Sequence, residues 1–143
     1  MPVMNVIEKQ VAIVQEFAEF QNWEDRYKHL IQIGRSLPDL PDADKTDDAK
    51  VRGCSSSVWL HAELADDGTV TLRADSDAIL VRGLVALLLR VYSGERPAAI
   101  IDTDPMFIEE LELTQHLTQT RANGLASMVK QIKAYAVAFA ARS

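Results

Sequence analysis

One cysteine, three histidines and a scatter of carboxylates are the side chains in this chain that could do covalent or acid-base chemistry. The cysteine, Cys54, stands in Val51-Arg52-Gly53-Cys54-Ser55-Ser56-Ser57-Val58-Trp59. Glycine and three serines make this stretch small, polar and flexible, which predicts a loop tip that presents the thiol rather than a core stripe. The reactive form is the thiolate, which Arg52 two residues upstream would favour, and Gly53 would let another chain approach the backbone. The competing reading is a packing residue, because free cysteine is among the most buried residue types. The histidines, His29, His61 and His116, do not stand at metal-ligand spacing, so no metal site is expected. His29 falls on a helix face and His61 on a strand, where a structural or exposed imidazole is the ordinary case. His116 lies in the turn region Thr114-Gln115-His116-Leu117-Thr118 and could pair with Cys54 as a base. Asp75 and Asp77 could work as an acid-base pair, yet their place before an apolar helix makes capping a sufficient explanation. No glycine-rich phosphate loop is present, since Gly83 and Gly94 are isolated.

The elements that must position these groups follow from periodicity. From Met4, the residues Ile7, Val11, Val14 and Phe17 recur at helical spacing and predict an amphipathic helix. Asn22, with Asp25 three residues on, caps a second helix whose stripe is Trp23, Tyr27, Leu30 and Ile31, and Gly34 supplies its stop. Between Leu37 and Lys50, prolines and acids predict a surface loop. Val58 to Leu64 and Val70 to Ala74 flank Asp66-Asp67-Gly68, a hairpin signal, with a third short strand placed around Lys50 to Arg52. Asp75-Ser76-Asp77 then opens a helix from Ala78 to Tyr92, apolar on nearly every face and so the buried centre of the fold. Gly94 and Pro97 end it, Asp104-Pro105 starts a short helix, and Thr118 to Arg121 leads into a last helix carrying Leu125, Met128, Ile132, Tyr135 and Phe139. The class is α+β, a small antiparallel sheet of about three strands packed against helices, in a single domain over 1–143.

The whole chain sets bounds on these readings. It has 143 residues, 48% hydrophobic and 25% charged, the size of one domain and too short for two ordinary ones. A net charge of −6 is the wrong sign for a nucleic-acid partner. A single cysteine rules out an internal disulfide framework and any cysteine-pair zinc or cysteine-held cluster site made by this chain alone, and points to a reducing compartment. With no leader pattern at the start and no apolar run of roughly 18 residues, no membrane partner is expected and the location is expected to be cytoplasmic.

The motifs together resemble the SufE-type sulfur acceptor family, including its CsdE branch. Gly53-Cys54-Ser55-Ser56-Ser57-Val58-Trp59 is similar to that family's cysteine signature, preceded by Leu37-Pro38 and Leu40-Pro41-Asp42. Asp75-Ser76-Asp77-Ala78 running to Gly83-Leu84, and Leu113 to Thr118 followed by Arg121 and Gly124-Leu125, come next in family order. Ala49 departs from a common Asn, and Ala74 from a common Gly.

The resemblance implies a fold like IscU-type scaffolds. It also implies a reaction in which Cys54 accepts persulfide sulfur from a pyridoxal-phosphate cysteine desulfurase (SufS- or CsdA-like), stimulates it and passes the sulfur to a SufBCD-like scaffold or another acceptor. Arg52, Gly53, Ser55, Ser56 and Trp59 would then form the active loop, with Asp77, His116 and Arg121 as candidates at the partner contact. The pyridoxal phosphate would sit on the desulfurase, leaving this chain without a cofactor and a sulfur-transfer accessory rather than a stand-alone enzyme. Two other readings stay open: a thiol enzyme or redox sensor using Cys54 with His116, and an interaction module whose thiol does no chemistry.

Overall fold

The computed structural model describes residues 4–142. Helix α1 (Val6–Ala18) starts at a reciprocal cap: Asn5 Oδ1 accepts from the Ile7 and Glu8 amides at 3.0 and 2.8 Å, and the Asn5 amide donates to Glu8 Oε1 at 3.2 Å. Helix α2 (Trp23–Ser36) begins where the sequence places it, with Asn22 Oδ1 accepting from the Asp25 amide at 2.9 Å. Strands β1 (Val58–Leu64) and β2 (Val70–Ser76) pair antiparallel, with Val58 opposite Ser76 and Leu64 opposite Val70. Their turn ends on Gly68 at φ +87°, a left-handed position that glycine adopts without a Cβ penalty. Helices α3 (Ile79–Tyr92), α4 (Pro97–Asp102), α5 (Met106–Glu110), α6 (Leu113–His116) and α7 (Gln119–Ala140) complete the chain.

Helix α3 is the centre of the packing, as its all-round apolarity implies. It contacts α1, α2, α7 and β2, and Val85, Leu87, Leu88, Val91 and Tyr92 are fully enclosed. Helix α7 closes over β1 and α4 through Leu125, Met128, Ile132, Ala136 and Phe139. Glu16 ties three helices together, its carboxylate meeting His29 Nε2 at 2.6 Å and Arg90 Nη2 at 3.1 Å. His61 is hydrogen-bonded to the Asp44 carbonyl, so both of these histidines are structural in place.

Several expectations are corrected. The sheet among the described residues has two strands, and the segment around Lys50 contributes a single bridge to Trp59. Backbone bonds from the Leu60 amide to Ala49 O (2.9 Å) and from the Val51 amide to Val58 O (2.8 Å) begin a ladder, but the chain then leaves the sheet at Arg52 to build the cysteine loop. On α1 the buried stripe is Val6, Gln10, Ile13 and Phe17, while Ile7 and Val11 remain 43% and 47% exposed. Gln10 explains the choice of face: its amide donates to Asp104 O at 3.1 Å and accepts from the Phe107 amide at 3.0 Å. The buried Phe107 amide would otherwise lack this partner.

Gly34 does not stop α2, which runs on to Ser36; a Cβ there would lie 2.5 Å from Ile79 O, so its bareness lets α2 approach α3. Gly83 faces the Leu30 carbonyl in the same crossing. Asp75 and Ser76 belong to β2, and α3 starts from Ala78 without any side-chain cap. Helix α4, begun by Pro97, was not anticipated; Lys133 Nζ donates to the Ile100, Ile101 and Thr103 carbonyls at its end.

Candidate functional site

The loop from Arg52 to Ser57 is closed at its base by the Val51–Val58 bond and held at its far end by the junction of β2 with α3. Ser76 Oγ donates to Ser57 O at 2.8 Å, the Asp77 amide donates to the same carbonyl at 3.3 Å, and Asp77 Oδ1 accepts from the Ser57 amide at 3.1 Å. Asp77 therefore anchors the cysteine loop instead of capping a helix. Asp77→Ala should speed alkylation of Cys54 several-fold with little change in thermal stability, since the residue is exposed. An unchanged rate would show that this anchor does not restrain the loop.

Beneath the anchor, Asp75 is 2% exposed and serves as a hub. Its Oδ2 accepts from the Leu40 amide at 3.0 Å, and its Oδ1 accepts from the Ser76 amide at 2.7 Å and from Arg82 Nη1 at 2.5 Å. Lys45 Nζ lies 3.5 Å away. Burial alone would raise the carboxyl's pKa, but the two amides with Arg82 and Lys45 outweigh it and hold the group below the usual carboxylate value. Arg82 extends the hub to Gly34 O, Leu37 O and Asp39 Oδ1, which fixes the loop that precedes the cysteine segment.

Gly53 takes φ +90°, and a Cβ on it would sit 2.6 Å from Ser127 Oγ, so the loop lies directly on α7. Cys54 is half-buried. Its Sγ donates to Gly124 O at 3.5 Å, and a Cβ on Gly124 would come to 3.4 Å from the sulfur. A small cleft over the sulfur is lined by Ser55, Ser56, Val81, Arg121, Gly124 and Met128. On the other side of the loop, Asp47, Lys50, Arg52, Gly53 and Cys54 line an open, more polar groove of about 440 Å³.

Burial pushes the Cys54 thiol pKa up, which corrects the expectation that Arg52 would favour the thiolate: Arg52 points into the exposed groove, where water screens its charge. The rate of iodoacetamide labelling should accordingly rise with pH to a midpoint above the value of about 8.5 typical of a free thiol. A midpoint at or below that value would contradict the effect of burial.

His116 is not brought to the sulfur. Its ring stacks on Trp23 with centroids 4.0 Å apart at 17°, its Nε2 lies 4.0 Å from Glu112 Oε2, and its carbonyl accepts from the Tyr27 hydroxyl. The imidazole faces an indole, and among the described residues it lines neither opening beside Cys54. Arg121 does reach the cleft; its amide is capped by Thr118 Oγ1 at 3.2 Å, so the cap that starts α7 also sets this arginine's position. Trp59 lies half-buried on the outer side of β1 with Lys45 Nζ 5.5 Å from its ring centroid. Ser127, Met128 and Val81 complete the site although the residue chemistry around Cys54 did not single them out, and Gly124, quoted only as part of the family motif, proves to be the residue against which the sulfur packs. Among the described residues no cluster of His, Cys, Asp or Glu could hold a metal, and no helix is long and apolar enough to cross a membrane.

Comparison with known proteins bears on the family and the fold. The family model described as SufE, Fe-S metabolism associated domain, matches residues 11–136. An uncharacterized SufE-like protein of Rhizobium meliloti (strain 1021) is 44% identical over 128 residues, spanning 87% of this chain and 91% of that relative. The solution structure of a hypothetical protein from Thermus thermophilus superposes with a TM-score of 0.76, covering 93% of this chain and 96% of that one; at 22% identity the likeness bears on the fold.

Proposed function

We propose, on the premise that the chain belongs to the SufE family and has its role in iron-sulfur metabolism and sulfur transfer, that Cys54 is the atom-level carrier of that sulfur. The observation that carries the reading is the setting of the chain's one thiol: half-buried on a loop pinned at both ends, with openings on two sides. The donor is the persulfide of a cysteine desulfurase, whose own pyridoxal phosphate frees the sulfur from cysteine. The Cys54 sulfur attacks the terminal sulfur of the donor persulfide, a new S–S bond forms at Cys54, and the donor's S–S bond breaks. The donor leaves as a thiolate and takes up the proton lost by Cys54, so the exchange is neutral in atoms, charge and electrons. Clearing the persulfide frees the donor's cysteine for another turnover, which is how acceptance would stimulate the desulfurase.

Burial gives this scheme its control. In the free protein the thiol is kept protonated against Gly124, so a donor must draw the sulfur out or bring positive charge and a base to it. Arg121 in the cleft and Arg52 in the groove flank the two routes of approach. Once formed, the Cys54 persulfide meets no second thiol in this chain that could resolve it into a disulfide, which favours delivery to a downstream scaffold or other acceptor. Incubation with a cysteine desulfurase and free cysteine, followed by intact-protein mass spectrometry, should show a gain of one sulfur atom. The absence of any gain with several active desulfurases would end the carrier reading.

A further inference from the structure

A second surface lies on the other side of α7. The groove between α5 and α7 has a volume of about 620 Å³; its floor is mainly apolar, with Pro105, Met106, Ile108, Ala122, Ala126 and Val129, and Thr114, Gln119 and Asn123 add polar groups to the lining. Met106 is 44% exposed at its lip, high for a large apolar side chain, and Asp104 and Glu109 stand on the rim. We propose that this groove docks a basic amphipathic helix of another protein, at a site separate from the thiol.

Shape and charge specify the occupant. An apolar trough between two helices accepts a helix that lays its own apolar stripe into it. From Pro97 to Thr120 the sequence carries five acids, Asp102, Asp104, Glu109, Glu110 and Glu112, and no Lys or Arg. Lys133, at this edge, is engaged with Asp104 at 3.3 Å and with the carbonyls ending α4. The rim therefore keeps an excess of negative charge, which complements Lys and Arg flanking an apolar stripe. A second copy of this chain would set the same acidic edge against itself, so charge disfavours a symmetric pair here.

Position on α7 gives the surface its use. At about 100° per residue, Arg121, Gly124 and Met128, which meet the cleft at Cys54, lie on a different side of α7 from Ala122, Ala126 and Val129, which line the groove, the two sets being centred about 130° apart round the helix. An occupant of the groove can stay bound while the thiol face is engaged by a different molecule.

The probe is a fluorescein-labelled helical peptide of about 18 residues, five turns, with Leu at i, i+3, i+4 and i+7 spacing and Lys on its flanks, followed by anisotropy against the whole protein. Saturable binding is expected. It should weaken by at least about tenfold, the loss of one central anchor, in Ala126→Arg, which fills the groove. It should also weaken, with a shallower salt dependence, in Glu109→Lys. Both positions are exposed, and circular dichroism melts check that the variants fold. Binding should be the same after Cys54 is carbamidomethylated. Equal affinity for Ala126→Arg, equal affinity for a peptide with Leu replaced by Ser, or loss of binding on blocking Cys54 would each overturn the proposal. A wild-type dimer in sedimentation that Ala126→Arg dissolves would do the same, assigning the groove to a second copy. None of these readouts involves sulfur transfer, so the groove and the carrier reading stand or fall separately.

Discussion

Cys54→Ser is expected to abolish sulfur uptake completely: wild-type protein treated with a cysteine desulfurase and cysteine gains one sulfur atom, and the variant's mass stays unchanged. The substitution removes the chemistry with little cost to the fold. A hydroxyl occupies nearly the same space and can still donate to Gly124 O, whereas it is a weak nucleophile at neutral pH and yields no stable persulfide. Thermal unfolding should therefore move by no more than a surface substitution would, about 0.5 kcal/mol. Stimulation of the desulfurase should vanish along with the mass gain. If stimulation survived undiminished in Cys54→Ser, the chain would act by contact alone and the interaction-module reading would replace the carrier.

Asp75→Ala should cause the largest loss of stability of any exchange near the site. The carboxylate is buried and accepts from two backbone amides and the Arg82 guanidinium, so its removal orphans the Leu40 and Ser76 amides and strips Arg82 of a partner. Breaking one side of such a buried pair costs about 3–5 kcal/mol. The lower end applies, because Arg82 retains Gly34 O, Leu37 O and Asp39. That is a large share of the total of about 5–15 kcal/mol available to a domain.

The pH dependence has a fixed sign. Asp75 has a lowered pKa in the folded protein, so its contribution is fully present above the unfolded value, about 3.9, and disappears as pH falls through the lower folded value. Urea unfolding at neutral pH and near the unfolded carboxyl pKa should show a steeper acid loss for wild type than for Asp75→Asn. A penalty for Asp75→Ala below about 1 kcal/mol, or parallel pH profiles, would remove the hub from this account.

Much of the fold was legible because its signals are local. The Asn22 cap, the Gly68 turn, the nearly all-round apolar α3 and the start of the last helix after Thr118 each depend on residues within a few positions of one another, and each stands where the sequence implied. The readings that failed depended on choices between nearly equal local alternatives. On α1, the stripes Ile7–Val11 and Val6–Ile13 are both helical in spacing, and the hydrogen bonds of Gln10 to the distant segment around Asp104 and Phe107 selected the second. Asp75 and Asp77 looked like caps because capping is what acids before a helix most often do; here the strand runs on to Ser76 and turns one carboxylate inward to Arg82 and the other onto Ser57. Gly34 read as a helix stop and Gly83 as an isolated glycine, yet their bareness serves a helix crossing that only the packed pair reveals.

By itself the sequence determined the thiol, its loop, the family motif around it and the α+β class, because residue type, turn chemistry and periodicity act over short spans of chain. The tertiary structure decided what surrounds the sulfur. It set Gly124 of α7 against Cys54, sent His116 to Trp23 instead, and buried the thiol enough to raise its pKa. Those outcomes depend on how helices far apart in the chain pack on one another, and desolvation and contact are properties of that packing which no local stretch of residues carries.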